Sequence, residues 1–213
     1  AKLPASTVGV LYMTYPVFTI LIAWALFADA PTRRALFASG LIVLAAIIAG
    51  SPASVPIEYL PTLLISLLAP FGFGFGICVL VHRLSRIAPL ARMASVSLGS
   101  ILGLAPLVLS SEISDLLPRE RSDWLLIVGI GLVPALVPQL IYTVCSPVIG
   151  ASQTAVVGSI ELPTMFAVGL LAFGEAVTAH QAIACAFILG AIAIPRSRKT
   201  RTVSTVLTKS PKR

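Results

Sequence analysis

The chain has 213 residues, 57% of them hydrophobic and 11% charged, whereas soluble domains carry about 25% charged residues. With a mean hydropathy of +1.00 over the whole length, these values exclude an ordinary soluble domain and imply an all-α, polytopic membrane helix bundle. The formal charge of +7 comes from the tail 196–213, which holds seven Lys/Arg and no acid; before it, eight Lys/Arg balance eight Asp/Glu, so no broad nucleic-acid-binding surface is implied.

Seven transmembrane helices are predicted, over 7–27, 33–50, 59–82, 89–110, 124–146, 150–173 and 179–195. Each has enough residues to cross a hydrocarbon core at about 1.5 Å per residue. An outer-membrane barrel would need short segments alternating apolar and polar, and no such alternation is present.

The first helix carries Tyr12, Thr14, Tyr15 and Pro16 near its middle. These could line a cavity wall or simply hydrogen-bond between helices. The turn "ADAPT" follows, and there Asp29 favours the next helix's positive N-terminus while Thr32 is its expected N-cap. In the third helix, "PFGFGFGI" (70–77) has neither a preceding strand nor a basic residue, so it is not read as a phosphate loop. Gly72 and Gly76, four apart, are expected at a close helix contact. Ser95, Gly99 and Gly103 in the fourth helix repeat that spacing and are expected to do the same. Arg83, Arg86 and Arg92 between these helices read mainly as orientation charges.

The fifth helix contains Pro134 and Pro138, then Gln139, so it is expected to kink and could line or gate a path. The sixth holds Glu161, with Pro163 two residues on. Counted from Gly150 at about 1.5 Å per residue, Glu161 lies roughly 16 Å deep, close to the midplane. A charged acid there costs about 2.5–3.5 kcal/mol on insertion scales, so it is a candidate functional group facing protein or water. Two roles are open: a proton-responsive or substrate-contacting carboxyl, or a neutral packing group bonded to a neighbouring helix. Pro163 removes a donor one turn back and is expected to free the carbonyl of Ser159 toward a cavity. Glu175 and Thr178 precede the last helix as Asp29 and Thr32 precede the second. Cys78, Cys145 and Cys185 lie far apart in apolar runs and read as small buried hydrophobes. His82 and His180 have no ligand-like spacing. No metal or other cofactor is implied.

Lys2, Arg119 and Arg121 fall on one side of the predicted membrane, and the other twelve Lys/Arg on the opposite side. The positive-inside rule makes the second side cytoplasmic, which puts the C-terminus inside and the N-terminus outside. An outward N-terminus without an initiator Met leads to the expectation that the chain is the C-terminal part of a longer protein with three further helices upstream.

Residues 7–50 match residues 154–194. Thr7 and Pro16 align with Thr154 and Pro163, and Phe27, Asp29, Ala30 and Thr32 align with Phe173, Glu175, Ala176 and Thr178. The second copy is displaced from the first by five helices, an odd number, so their membrane orientations must be opposite. Inverted repeats are typical of secondary transporters, whose substrate site lies at the repeat interface near the midplane.

Gly150-Ala151-Ser152, Glu161-Leu162-Pro163 and Gly174-Glu175, followed by a small-residue final helix, resemble the C-terminal half of an EamA-type domain of the drug/metabolite transporter superfamily. The family pattern has Glu and Pro adjacent or nearly so; here Leu162 separates them. The resemblance extends over nearly all the chain to residue 195. It implies a ten-helix secondary transporter, usually an exporter of amino acids or other small metabolites, in a bacterial cytoplasmic membrane. On this division, 1–51 ends the first repeat with two helices, 52–195 is the second with five, and 196–213 is the basic cytoplasmic tail.

A permease working by alternating access fits best, with Glu161, Ser159, Pro163, Tyr12, Thr14, Tyr15 and Gln139 as the substrate- or proton-binding candidates. No catalytic residue is expected, because a membrane enzyme would need a nucleophile with a base, paired acids or a metal cluster. A non-transporting scaffold or an inactive fragment is the remaining alternative. The expected partners are a small-molecule substrate and the lipid bilayer, with a homodimer as the assembly to test and no nucleic acid.

Overall fold

Proline or threonine stands at several helix starts in this chain, at positions 16, 32, 89 and 178. In a computed structural model, residues 11–50, 60–112, 117–118 and 120–194 are described. Among them the helices are α1 (Tyr15–Phe27), α2 (Arg33–Gly50), α3 (Leu60–Ser66), α4 (Leu68–His82), α5 (Pro89–Leu109), α6 (Arg121–Ile130), α7 (Val137–Ile149), α8 (Ala151–Gly158), α9 (Glu161–Phe173) and α10 (Ala179–Ala193). No strand occurs among the described residues. Helices stand at all seven predicted positions. Three predicted spans are divided, into α3 with α4, α6 with α7, and α8 with α9.

Four helices are long and apolar enough to cross a membrane: Pro61–His82, Pro89–Leu109, Arg121–Ile149 and Ala151–Ala172. Tyr15–Phe27 and Ala179–Ala193 are shorter apolar helices. Large apolar side chains such as Leu98, Ile101 and Leu102 on α5 and Leu125, Leu126 and Ile130 on α6 point outward. That pattern suits helices whose solvent is lipid.

The α-helical ladder of the fifth predicted span is interrupted near its first proline. Gly131–Leu136, between α6 and α7, is a wide π turn. Pro134 lacks the N–H that would close an ordinary helical ring, and the backbone widens around it.

Helix α1 packs mainly on α4, and α2 on α10. Central α8 touches α1, α2, α4, α7 and α10, while α5 packs on α7. One core cluster joins Met13, Ala38, Ile42, Ala45 and Ala46 to Val156, Leu162, Ala184 and Ile188. A second joins Tyr15, Ile22 and Ala23 to Ile77, Cys78, Ala151 and Ala155.

The two matched segments share their local devices. Turns at 13–14 and 159–160 interrupt the helices before Tyr15 and Glu161, 146 residues apart. Helices α1 and α9 have 13 residues each. Both end in a left-handed residue, Ala28 (φ 52°) and Gly174 (φ 66°). In both, the next N–H reaches back six residues, from Asp29 to Ala23 O and from Glu175 to Gly169 O, each at 3.0 Å. The expected N-caps are in place: Ala35 N donates to Thr32 Oγ1 at 3.2 Å, and Gln181 N to Thr178 Oγ1 at 3.3 Å.

Other expectations are corrected. Gly72, Gly76, Gly99 and Gly103 have open space where a Cβ would stand. The close approach is at Gly74, where an added Cβ would lie 2.9 Å from Thr19 N and 3.2 Å from Tyr15 O. Spacing of four selects one face of a helix, but the neighbour here meets another. Cys78 is buried, with its Sγ donating to Thr19 O at 3.3 Å, whereas Cys145 is exposed.

Arg92 is more than an orientation charge. It is 4% exposed, and its guanidinium donates to Thr143 O, to Ile87 O at 2.8 Å and to Ser85 O at 3.3 Å. Pro147, inside α7, cannot supply the N–H that Thr143 O would otherwise accept four residues on. The guanidinium supplies it instead and fastens the start of α5 to the end of α7. Asp29 lies 3.6 Å from His82 Nε2, and the His82 ring stacks on Phe27 with centroids 4.7 Å apart.

Candidate functional site: an aromatic wall at two helix breaks

The breaks before α1 and α9 bring the central polar residues together. Tyr15 is the first residue of α1, and Pro16 beside it suits the start of a helix, where no intrahelical donor is needed. Tyr15 is fully buried and reaches across to α8, where its hydroxyl donates to Ala155 O at 3.1 Å and lies 3.4 Å from Ser159 Oγ. The Ser159 hydroxyl donates to the same carbonyl at 3.2 Å. Ala155 O therefore ties the first segment to the last.

Tyr12 lies one turn before Tyr15, with ring centroids 5.5 Å apart. Phe73 from α4 packs against both, at 5.7 Å from Tyr12 and 4.9 Å, edge-on, from Tyr15. Tyr142 from α7 completes the group 6.2 Å from Phe73. Edge-to-face pairs at these separations stabilise one another by about 0.5–1.5 kcal/mol beyond their buried area. The Tyr15 and Tyr142 hydroxyls converge on Gly158, where an added Cβ would lie 2.8 Å and 2.1 Å from their oxygens. Only a residue without a side chain permits both to approach.

Glu161 opens α9, where a carboxylate complements the helix N-terminus. It is exposed on the described surface. Tyr15 is buried, while Tyr12, Phe73 and Tyr142 are half-buried. The result is a cluster of four rings, buried at Tyr15 and half-buried elsewhere.

Three predicted residues thus meet, Tyr12, Tyr15 and Ser159, and Glu161 follows two residues after Ser159 at the start of α9. The others lie apart. Thr14 turns its hydroxyl back to Leu11 O at 2.6 Å. Gln139 donates to Met93 O at 3.3 Å and Ser97 Oγ at 3.1 Å, which joins α7 to α5. Pro163 faces an open apolar depression of about 470 Å³ with Thr164, Ala167, Val168, Leu171 and Ala172. The Ser159 carbonyl expected to be free is accepting from Leu162 N at 3.3 Å, because the chain tightens into a three-residue turn at the break. Sequence reasoning missed Phe73, Tyr142 and Gly158. Tyr142, one turn after Gln139 in a helix already marked by two prolines, carried the only local signal.

The chain is similar in fold to a protein known from its crystal structure, with a TM-score of 0.70 at 17% sequence identity over 90% of this chain and 67% of that one. No family model and no curated protein matches it.

Proposed function

We propose that this chain acts in secondary transport of a small metabolite, such as an amino acid or a related compound, as a permease or exporter of the EamA type. Transport would proceed by alternating access. The observation carrying this reading is the meeting of two helix breaks, matched 146 residues apart, with a hydrogen-bonded tyrosine on one and a carboxyl on the other. Interrupted helices are tolerated at membrane depth where they face protein or a water-filled cavity. They form the substrate sites of many inverted-repeat transporters.

The shared left-handed ends and threonine caps support the view that 1–51 and 52–195 belong to two copies of one unit. So does the packing of α2 on α10, which are equivalent helices on this alignment. In this reading the copies rock against each other. The Tyr15 link to Ala155 holds them in one state and yields in the other. The N-terminus faces outward and the basic tail faces the cytoplasm of a bacterial cell.

The test is release of a mixed metabolite pool from proteoliposomes at two pH values, for wild type and Glu161→Gln. Selective release by wild type, with its pH dependence abolished in a folded Glu161→Gln protein, is the expected result. Equal release by both removes Glu161 from the mechanism. No release of any component by folded wild type shifts weight to a membrane scaffold.

A further inference from the structure

Away from the ring cluster, the far ends of α1 and α4 meet through a second group of side chains. His82 closes α4, nine residues after Phe73, or about 14 Å along the helix. Its ring stacks on Phe27, the last residue of α1, with centroids 4.7 Å apart and an interplanar angle of 15°. Its Nε2 lies 3.6 Å from Asp29 Oδ2 in the turn that follows, just beyond hydrogen-bonding reach. That nitrogen is shut off from solvent and has no hydrogen-bond partner among the described residues. The Asp29 side chain is 47% exposed, so it has room to close the gap.

A neutral imidazole gains little in this place. With its proton on Nδ1, it turns the Nε2 lone pair toward a carboxylate oxygen, and the two repel. With its proton on Nε2, it buries a donor that falls short of its acceptor. A protonated ring has three favourable neighbours: the Asp29 carboxylate, the face of Phe27 and the carbonyl end of α4. Arg83 opposes it, with its guanidinium 5.7 Å over the same Phe27 ring. The other titratable groups on the elements packed here are engaged elsewhere or exposed. Cys78 donates to Thr19 O, Tyr15 and Tyr142 meet Phe73, and Cys145 on α7 is exposed. Helices α3 and α8, which also pack on α4, carry none.

We propose that Asp29, His82 and Phe27 form a pH-sensitive latch between the ends of α1 and α4, which tightens when His82 takes up a proton from solvent. The proposal goes beyond the transport reading and does not depend on it. Histidine side chains change charge between about pH 5 and 8, a range in which carboxylates ordinarily stay ionised. The latch is engaged at the acid end of that range and released as the pH rises through it. On the division into 1–51 and 52–195 the two helix ends belong to different copies, so the latch joins the copies at this face of the bundle.

The experiment is a double-mutant cycle of Asp29→Asn and His82→Gln on this chain in detergent, with equilibrium unfolding followed by circular dichroism at about pH 5.5 and about pH 8. At the lower pH the coupling between the two side chains should change the unfolding constant at least fivefold, and at the higher pH less than twofold. Phe27→Leu keeps apolar bulk and removes the ring face, and in that background the coupling at the lower pH should fall at least twofold. Where a variant fails to fold, amide exchange in the wild type decides. Arg83 N and Leu84 N both donate to Val79 O, at 2.9 Å and 3.0 Å, and Asp29 N donates to Ala23 O at 3.0 Å. After correction for the chemical exchange rate, these amides should be at least threefold better protected at the lower pH. Coupling of the same size at both pH values marks an ordinary polar contact and overturns the latch. So does an absence of coupling, a coupling larger at the higher pH, one that Phe27→Leu leaves unchanged, or protection that does not vary with pH.

Discussion

Replacing Gly158 by alanine is normally a stabilising change in a helix, by up to about 1 kcal/mol, yet here it should destabilise. The new Cβ would stand 2.1 Å from the Tyr142 hydroxyl oxygen, 2.8 Å from that of Tyr15 and 3.3 Å from Tyr142 Cζ. Ordinary carbon–oxygen contact needs more than 3 Å, so the Tyr142 hydroxyl must retreat by roughly an ångström. Tyr15 can retreat little, because it is buried and its hydroxyl is bound to Ala155 O. Overpacking of this kind costs about 1–3 kcal/mol. Set against the propensity gain, which is small at the last residue of α8, a net loss of about 1–2 kcal/mol is expected. Tyr142→Phe removes the atom at 2.1 Å and leaves ring carbon at a tolerable distance. The alanine should therefore cost about 1 kcal/mol less in that background. A double-mutant cycle of unfolding in detergent, followed by circular dichroism, measures this. A neutral or stabilising Gly158→Ala, or a cycle additive within the usual 0.3–0.5 kcal/mol, would refute the placement of the two hydroxyls over Gly158.

The remaining predictions concern how the helices end and join. Ala28→Gly should stabilise by about 0.5–1 kcal/mol, because Ala28 sits at φ 52° where the matched position has a glycine. Gly174→Ala should destabilise by about 1 kcal/mol, and thermal melts moving in the same direction would contradict the shared geometry. Arg92→Met should cost about 2–3 kcal/mol by leaving buried carbonyls without donors. Pro147→Ala restores a helical donor to Thr143 O and should reduce that cost by about 1 kcal/mol. An Arg92→Met penalty that is the same with Pro147 and with alanine would show that the guanidinium does not replace the missing N–H.

Much of the framework was legible because it depends on short-range chemistry. Thr32 and Thr178 act on backbone groups within a turn of themselves, and the structure places their caps where the sequence did, whereas Pro16, read as mid-span, stands at the start of α1. Facing is different. Glycines at 72 and 76 have the spacing of a contact, but the contact falls on Gly74, since the direction of approach of α1 is a property of the bundle. Phe73 lies on that same helix and escaped notice for the same reason. Tyr142 and Arg92 act across 50 residues or more, on groups their own neighbours do not mention. For Arg92 the clue was present but indirect: a proline four residues after Thr143 announces a carbonyl in need of a donor.

The polar residues at the two breaks can now be sorted by what they still have free. A helix interrupted within a membrane exposes carbonyls that lipid cannot satisfy, at a cost of several kcal/mol each. At the first break Leu11 O accepts both the Thr14 hydroxyl, at 2.6 Å, and Thr14 N, at 3.1 Å. At the second, Ala155 O accepts Ser159 Oγ and Tyr15 OH, while Val156 O and Val157 O take the N–H groups of Ser159 and Ile160. Thr14, Ser159 and Tyr15 are thus committed to healing the backbone they interrupt. Glu161 takes part in none of these bonds, and Tyr12, Phe73 and Tyr142 are half-buried. The hydroxyls at the two breaks therefore serve first to satisfy the backbone groups that the interruption exposes.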